Sequence, residues 1–271
     1  MTAPPDAASL LELAVATARE AAELVRRGRA TAGDDVAVKS SPVDVVTAVD
    51  AASEHLVVGR LLGARPDDGV LGEEGAQRPG TTGVRWIVDP IDGTVNFLYD
   101  LPAYAVSIAA EVDGAVVAGV VLNAATGELF TAVAGGGAFR SAPGEDAPVR
   151  LTGSRASSLG LSLVATGFGY RVEQRRAQGA VVAALLPRVR DIRRHGSAAL
   201  ELCAAAAGRV DAYYETGLEP WDHAAGALVA AEAGLVLGGL PGRAFGEPLV
   251  VAAAPGIADD LLALLGELHR A

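Results

Sequence analysis

An α+β N-terminal half followed by an α/β C-terminal half is the fold class predicted by the order of apolar segments along the 271 residues. Up to about residue 142, short apolar runs sit close together and are joined by tight-turn signals, as in an antiparallel sheet. Beyond the proline-bounded stretch Pro143–Pro148, strand-like runs alternate with helical stretches, as strands joined by helices do. The expected organisation is therefore residues 1–145 as the first half and 146–271 as the second, forming one compact unit.

The elements follow in order. Pro4 and Pro5 open the chain loosely. Ser9 can cap a helix reaching about Arg29, in which Leu10, Leu13, Ala14, Ala21, Leu24 and Val25 approximate one stripe. A second helix begins near Thr47 or Asp50 and runs to Leu62. Val70-Leu71 and Trp86-Ile87-Val88 are short apolar strands, each ending in carboxylates. Ala105–Val112 and Ala115–Leu122 flank Asp113-Gly114, a dipeptide suited to a hairpin turn. Glu128–Val133 and Ala138–Arg140 extend that region across three glycines. In the second half, strands are predicted over Leu161–Ala165, Val189–Ile192, Ala212–Tyr214, Leu235–Leu237 and Leu249–Ala253. The helices between and after them are Glu173–Leu186, Ala198–Ala207, Asp222–Ala233 and Ile257–Leu268.

Composition narrows the function classes. Hydrophobic residues make up 51% and charged residues 20%, enough to build a packed core rather than a disordered chain. No apolar run reaches the roughly 18 residues of a membrane span. The N-terminal stretch lacks the basic and apolar segments of a signal peptide, so a cytoplasmic location is expected. The lone Cys203 excludes an internal disulfide and a cysteine-rich zinc site; on an Ala-rich helix it reads as a small core residue. A net charge of −11 makes nucleic acid a poor partner, and a small phosphorylated substrate requires cations to reverse the sign locally. The N-terminal helix, with Arg19, Arg26, Arg27 and Arg29, is the single candidate membrane-facing surface, and no membrane role is expected.

Asp89-Pro90-Ile91-Asp92-Gly93-Thr94 is the most informative hexapeptide. Proline fixes one φ and glycine permits a sharp turn, so the two carboxylates and an intervening carbonyl can converge. Such hard oxygen donors suit Mg²⁺. Alone, the same hexapeptide reads equally well as two turn-forming acids and a helix cap. Gly72-Glu73-Glu74 alone reads as a solvated turn, Asp222 as an N-cap, and Asp50 as an exposed helix acid. His55, His195, His223 and His269 have no metal-ligand spacing and read as structural or surface residues. No nucleophile-elbow serine or dinucleotide-binding glycine motif is present.

Taken in order, the motifs are more specific. Lys39–Asp44 with Val46–Asp50, Gly72-Glu73-Glu74, Asp89–Thr94 with Asn96-Phe97, and Trp221-Asp222 with Ala224-Ala225-Gly226 and Glu232-Ala233-Gly234 resemble the inositol monophosphatase family over roughly residues 10–265. The segments Val95–Phe97 and Pro102–Ser107 look like actinobacterial members. The resemblance implies a layered αβαβα sandwich, a homodimer, lithium sensitivity, and hydrolysis of inositol 1-phosphate, a small phosphorylated polyol. It implies two to three Mg²⁺ ions held by Glu73, Asp89, the carbonyl of Ile91, Asp92 and Asp222. By the same resemblance, Thr94 paired with Asp50 orients the attacking water beside Glu73. Substrate contacts are implied for Asp92, Gly93, Thr94, Gly196, Ser197, Ala198, Glu215 and Asp222, with Lys39 on a nearby loop. Glu219 stands where animal inositol enzymes carry His, which loosens the expected inositol selectivity. Histidinol-phosphate phosphatase, fructose-1,6-bisphosphatase and a non-catalytic role in transcription complexes are the alternatives on the same scaffold.

Overall fold

The computed structural model describes residues 6–29, 36–38, 45–240 and 242–270. Helices α1 (Ala7–Gly28) and α2 (Ala48–Ala64) flank the short pair β1 (Val36–Val38) and β2 (Val45–Thr47). Asp6 caps α1 by accepting the Ala8 N–H; the expected cap, Ser9, instead donates its hydroxyl to the Asp6 carbonyl. An acid three residues earlier competes for the same orphan donors and wins them.

An eight-stranded sheet follows: β3 (Gly69–Gly72), β4 (Gln77–Arg78), β5 (Val84–Asp92), β6 (Ala105–Val112), β7 (Ala115–Asn123), β8 (Leu129–Val133), β9 (Gly137–Ser141) and β10 (Val149–Arg150). Its spatial order is β10-β9-β8-β7-β6-β5-β3-β4, antiparallel except where β3 runs parallel to β5. The six-residue helix α3 (Thr94–Tyr99) interrupts the path from β5 to β6. The second sheet comprises β11 (Leu163–Thr166), β12 (Asp191–Arg193), β13 (Ala212–Thr216), β14 (Val236–Gly238) and β15 (Leu249–Ala253), ordered β12-β11-β13-β15-β14. Its helices are α4 (Val172–Leu185), α5 (Ala198–Ala206), α6 (Pro220–Glu232) and α7 (Ala258–Leu268).

Side-chain alternation along the strands explains the layers. On β5, Val84, Trp86 and Val88 enter the core beneath α1 and α2, while Ile87 points into a second core shared with α5 and α6. On β15, Val250 and Ala252 enter that same second core, whereas Leu249, Val251 and Ala253 join a third core with α4 and α7. Both sheets are thus buried on both faces, and α5 and α6 lie between them, giving the αβαβα layering. Small side chains make that central layer thin: Ala199, Ala205, Ala206, Ala225 and Ala230 are all fully buried. The alanine richness of these helices is close packing between two sheets. Among the described residues no helix is long and apolar enough to cross a membrane.

Candidate active site

The end of β5 and the turn after it carry most of the expected metal ligands. Asp89 pairs with Ser107 and Asp92 with Ala105, so β5 spends one residue more than β6 between them. This bulge falls on Pro90-Ile91, where proline has no N–H to lose from the ladder. Asp89 accepts the Ile91 N–H at 3.0 Å, and Gly93 then takes φ 98°, a left-handed turn into α3 that a side chain would resist. Bulge and turn let Asp89 and Asp92 face the same region from one strand end.

Helix α2 supplies the second set. Thr47 and Asp50 form a reciprocal capping box: the Thr47 N–H and hydroxyl donate to Asp50 Oδ2 at 2.9 and 2.5 Å. Asp50, fully buried, also lies 3.0 Å from Thr94 Oγ1, which in turn is 3.1 Å from the Ile91 carbonyl oxygen. One hydroxyl hydrogen serves these two acceptors, so Thr94 links Asp50 to the Asp89–Asp92 turn. One turn further along α2, Glu54 accepts the N–H groups of Glu74 at 2.8 Å and Ala76 at 3.0 Å. That grip fixes the loop carrying Glu73. Glu54 was not among the expected site residues, yet Asp50, Glu54, Val57 and Leu61 fall at i, i+4, i+7 and i+11, one helical stripe. Two acids on an otherwise apolar stripe are the signal.

The second half closes the site. Asp92 accepts from the Ser197 hydroxyl at 2.5 Å and from the backbone N–H groups of Ala199 at 2.7 Å and Ala198 at 3.3 Å. Asp222 is not the N-cap of α6 but its third residue, in a capping box with Glu219, whose N–H it accepts at 2.7 Å. Glu215, at the end of β13, accepts from the Tyr213 hydroxyl at 2.7 Å. Asp92, Gly93, Ser197, Glu215, Glu219 and Asp222 all line one cavity of about 540 Å³. Gly196 and Ala198 line it too; Lys39 lies outside the described residues.

The electrostatics are those of acids forced together. Burial, then the charges of Glu73, Asp92 and Asp222, hold Asp89 well above the usual carboxylate range, and Glu73 shares a hydrogen bond with it. Burial raises Asp92 to about 6 against the lowering hydrogen bonds from Ser197 and Ala199. Asp222 is raised well above its ordinary value by burial and by the Asp92 charge. Asp50 is raised by burial, opposed by its bonds to Thr47 and Thr94. Burial likewise lifts Glu215 to about 7, with Tyr213 opposing. Among the described residues, no three such side chains stand in a group ready to hold a metal ion. The donor set is nevertheless one of hard carboxylate oxygens, wholly or half buried, whose charges repel one another, which is the chemistry a Mg²⁺ ion relieves.

Gly167, just past β11, sets the Glu215 wall. A Cβ there would fall inside contact distance of the Glu215 carboxylate. Gly167→Ala is expected to displace Glu215 and to lower the melting temperature by an amount equivalent to about 1–3 kcal/mol of overpacking. In turnover assays it should raise KM for a polyol ester by about tenfold with a smaller effect on kcat. A KM unchanged in a folded variant would remove Glu215 from the substrate wall.

A doubly sandwiched mixed α/β protein, with acids from both halves converging beside a polar cavity, is the class that fold and site define. The family model of the inositol monophosphatase family matches residues 6–270. Inositol-1-monophosphatase SuhB of Mycobacterium tuberculosis is 50% identical over 282 residues, covering 98% of this chain and 96% of that protein. Nus factor SuhB of Escherichia coli K12 is 38% identical over 235 residues, covering 86% of each. The solved structure of M. tuberculosis SuhB superposes with a TM-score of 0.83 at 46% identity, covering 97% of this chain and 98% of that one. A Thermotoga maritima inositol monophosphatase gives 0.86 at 30% identity, with the same coverage. The chain belongs to the inositol monophosphatase family and carries its mixed α/β fold.

Proposed function

We propose that this chain is a Mg²⁺-dependent phosphomonoesterase that releases phosphate from inositol 1-phosphate and tolerates related polyol phosphates. The observation that carries the reading is a set of raised acids, buried Asp89 and Asp92 with half-buried Asp222, of which Asp92 and Asp222 line a cavity together with Glu215. Glu73, Asp89, the Ile91 carbonyl, Asp92 and Asp222 would hold two to three Mg²⁺ ions. Once bound, the ions supply positive charge that acidifies water and offsets the charge on the phosphate and on the departing oxygen.

The remaining work belongs to the chain's own groups. Thr94, held by Asp50, orients a water for in-line attack on phosphorus, and Glu73 beside it receives the water's proton. The backbone N–H groups at Gly93 and Thr94 donate to the phosphate oxygens. Glu215 and Asp92 accept hydrogen bonds from hydroxyls of the leaving group, so the alcohol is held while the ester bond breaks. Fixed positioning of water and ester supplies much of the rate.

The test is phosphate release from myo-inositol 1-phosphate, histidinol phosphate and fructose 1,6-bisphosphate, each with Mg²⁺ and with EDTA. Metal-dependent turnover highest on the inositol ester is expected. Preference for another ester would keep the chemistry and change the substrate. Bound Mg²⁺ with no turnover of any ester would overturn the enzymatic reading.

A further inference from the structure

One buried carboxylate near the site has no part in the chemistry above. Glu201, in the first turn of α5, is 2% exposed. Its Oε1 accepts the backbone N–H of His195 at 2.7 Å and lies 3.0 Å from Nδ1 of the same histidine. Its Oε2 has no hydrogen-bond partner among the described residues. Glu201 also lines the cavity of the site, and burying a carboxylate costs free energy that its hydrogen bonds must offset. What the other oxygen does therefore explains why the acid is there.

Oxygen Oε1 fixes the point from which the Asp92 cradle is hung. The His195 carbonyl accepts from Asn96 Nδ2 at 2.6 Å, and that same nitrogen donates to the Ala103 carbonyl at 2.7 Å. Residue 195 is thus tied on its N–H side to α5 and on its carbonyl side to the first half of the chain. Gly196 follows with φ 92°, and the next three residues all donate to Asp92. Asp92 takes the first free N–H groups of α5, while Glu201 reaches back six residues and takes the one before the turn. Two acids divide the donors of a single helix start.

We infer that Glu201 is a positioning residue, which through His195 sets the backbone of Ser197–Ala199 and thereby the placement of Asp92. The consequence for turnover rests on the role proposed for Asp92; the clamp itself does not. Charge makes the acid the better clamp, since a carboxylate binds an N–H more tightly than an amide oxygen does.

The experiment compares wild type, Glu201→Leu and Glu201→Gln. Amide hydrogen exchange is followed in EDTA, and Mg²⁺ affinity is measured by calorimetry. In Glu201→Leu, protection of the Ala198 and Ala199 amides should fall by about 100-fold while Val229, inside α6, keeps its protection. Mg²⁺ affinity should fall by about 10–100-fold, the range found when groups that hold a ligand are removed. Gln keeps an acceptor oxygen and should restore both readouts to within about tenfold. Unchanged protection at Ala198 and Ala199 would overturn the inference. So would a loss shared equally by Val229, which marks general destabilisation. Should Glu201→Leu not fold, Glu201→Asp, one methylene too short, should show the same local loss at reduced size. A wild-type protein that turns over no ester would sink the proposed function alone, because the amide readout still decides the clamp.

Discussion

Asp92→Asn should lose activity and gain stability in the metal-free state. The carboxylate at this position sits at the centre of the site, yet its environment does not favour the charge. Burial lifts it to about 6 although Ser197, Ala198 and Ala199 all donate to it. A rise from 3.8 to about 6 means that ionised Asp92 costs the metal-free fold about 3 kcal/mol at pH 8. Asparagine keeps the shape and one acceptor oxygen and removes the charge. In EDTA at pH 8 its melting temperature should rise by several degrees, corresponding to about 1–3 kcal/mol for a chain of this size. With Mg²⁺ present, turnover should fall by more than about 100-fold, since even partners one step removed from a metal cost 10–100-fold. Calorimetry in EDTA and initial rates in Mg²⁺ check the two halves separately. A drop in both would mean that Asp92 serves the fold rather than a cation.

How far the sequence could be read differs between the fold and the site. Periodicity located the five strands of the second sheet and its four helices within one to three residues, because β13 and β15 are buried on both faces and read as short apolar runs bounded by turns. It missed the two-residue strands β4 and β10, which exist through their neighbours; α3, whose six residues are too few to show a stripe, was signalled only as a helix opening at Gly93-Thr94. The Asp89–Thr94 turn was legible because proline and glycine leave few alternatives for the backbone. Asp50 alone was not, since an acid in a first helical turn is ordinarily exposed; it is buried here because Thr47 and Thr94, 44 residues away from it in the latter case, supply its hydrogen bonds. Glu201 was invisible for the same reason. Its partner, His195, lies across a loop whose conformation is set by Asn96 from the first half. Long-range partners of buried polar groups leave no local period to detect.

The metal-free protein should also be markedly more stable at pH 5 than at pH 8, the reverse of what paired surface acids produce. The folded-state values of Asp50, Asp89, Asp92, Asp222 and Glu215 all lie above their unfolded ones. Between the unfolded values and the folded ones, the native state binds more protons than the unfolded chain, so stability falls as pH rises. The contribution is complete below about pH 4, begins to fade above it, and for Asp92 and Glu215 is lost through about 6 and about 7. Between pH 5 and pH 8 Asp92 gives up about 1.4 kcal/mol of its share and Glu215 about 2.5 kcal/mol, so the melting temperature in EDTA should fall by on the order of 10 °C across that interval. Saturating Mg²⁺ should act with the opposite slope. Its ligands must be deprotonated to bind, so the cation competes with protons at low pH and gains stabilising power as they leave. The difference between the Mg²⁺ and EDTA curves should therefore widen steadily from pH 5 to pH 8. A flat EDTA profile would mean that these acids are solvated and apart, and with that the reason for a cation at this site would go.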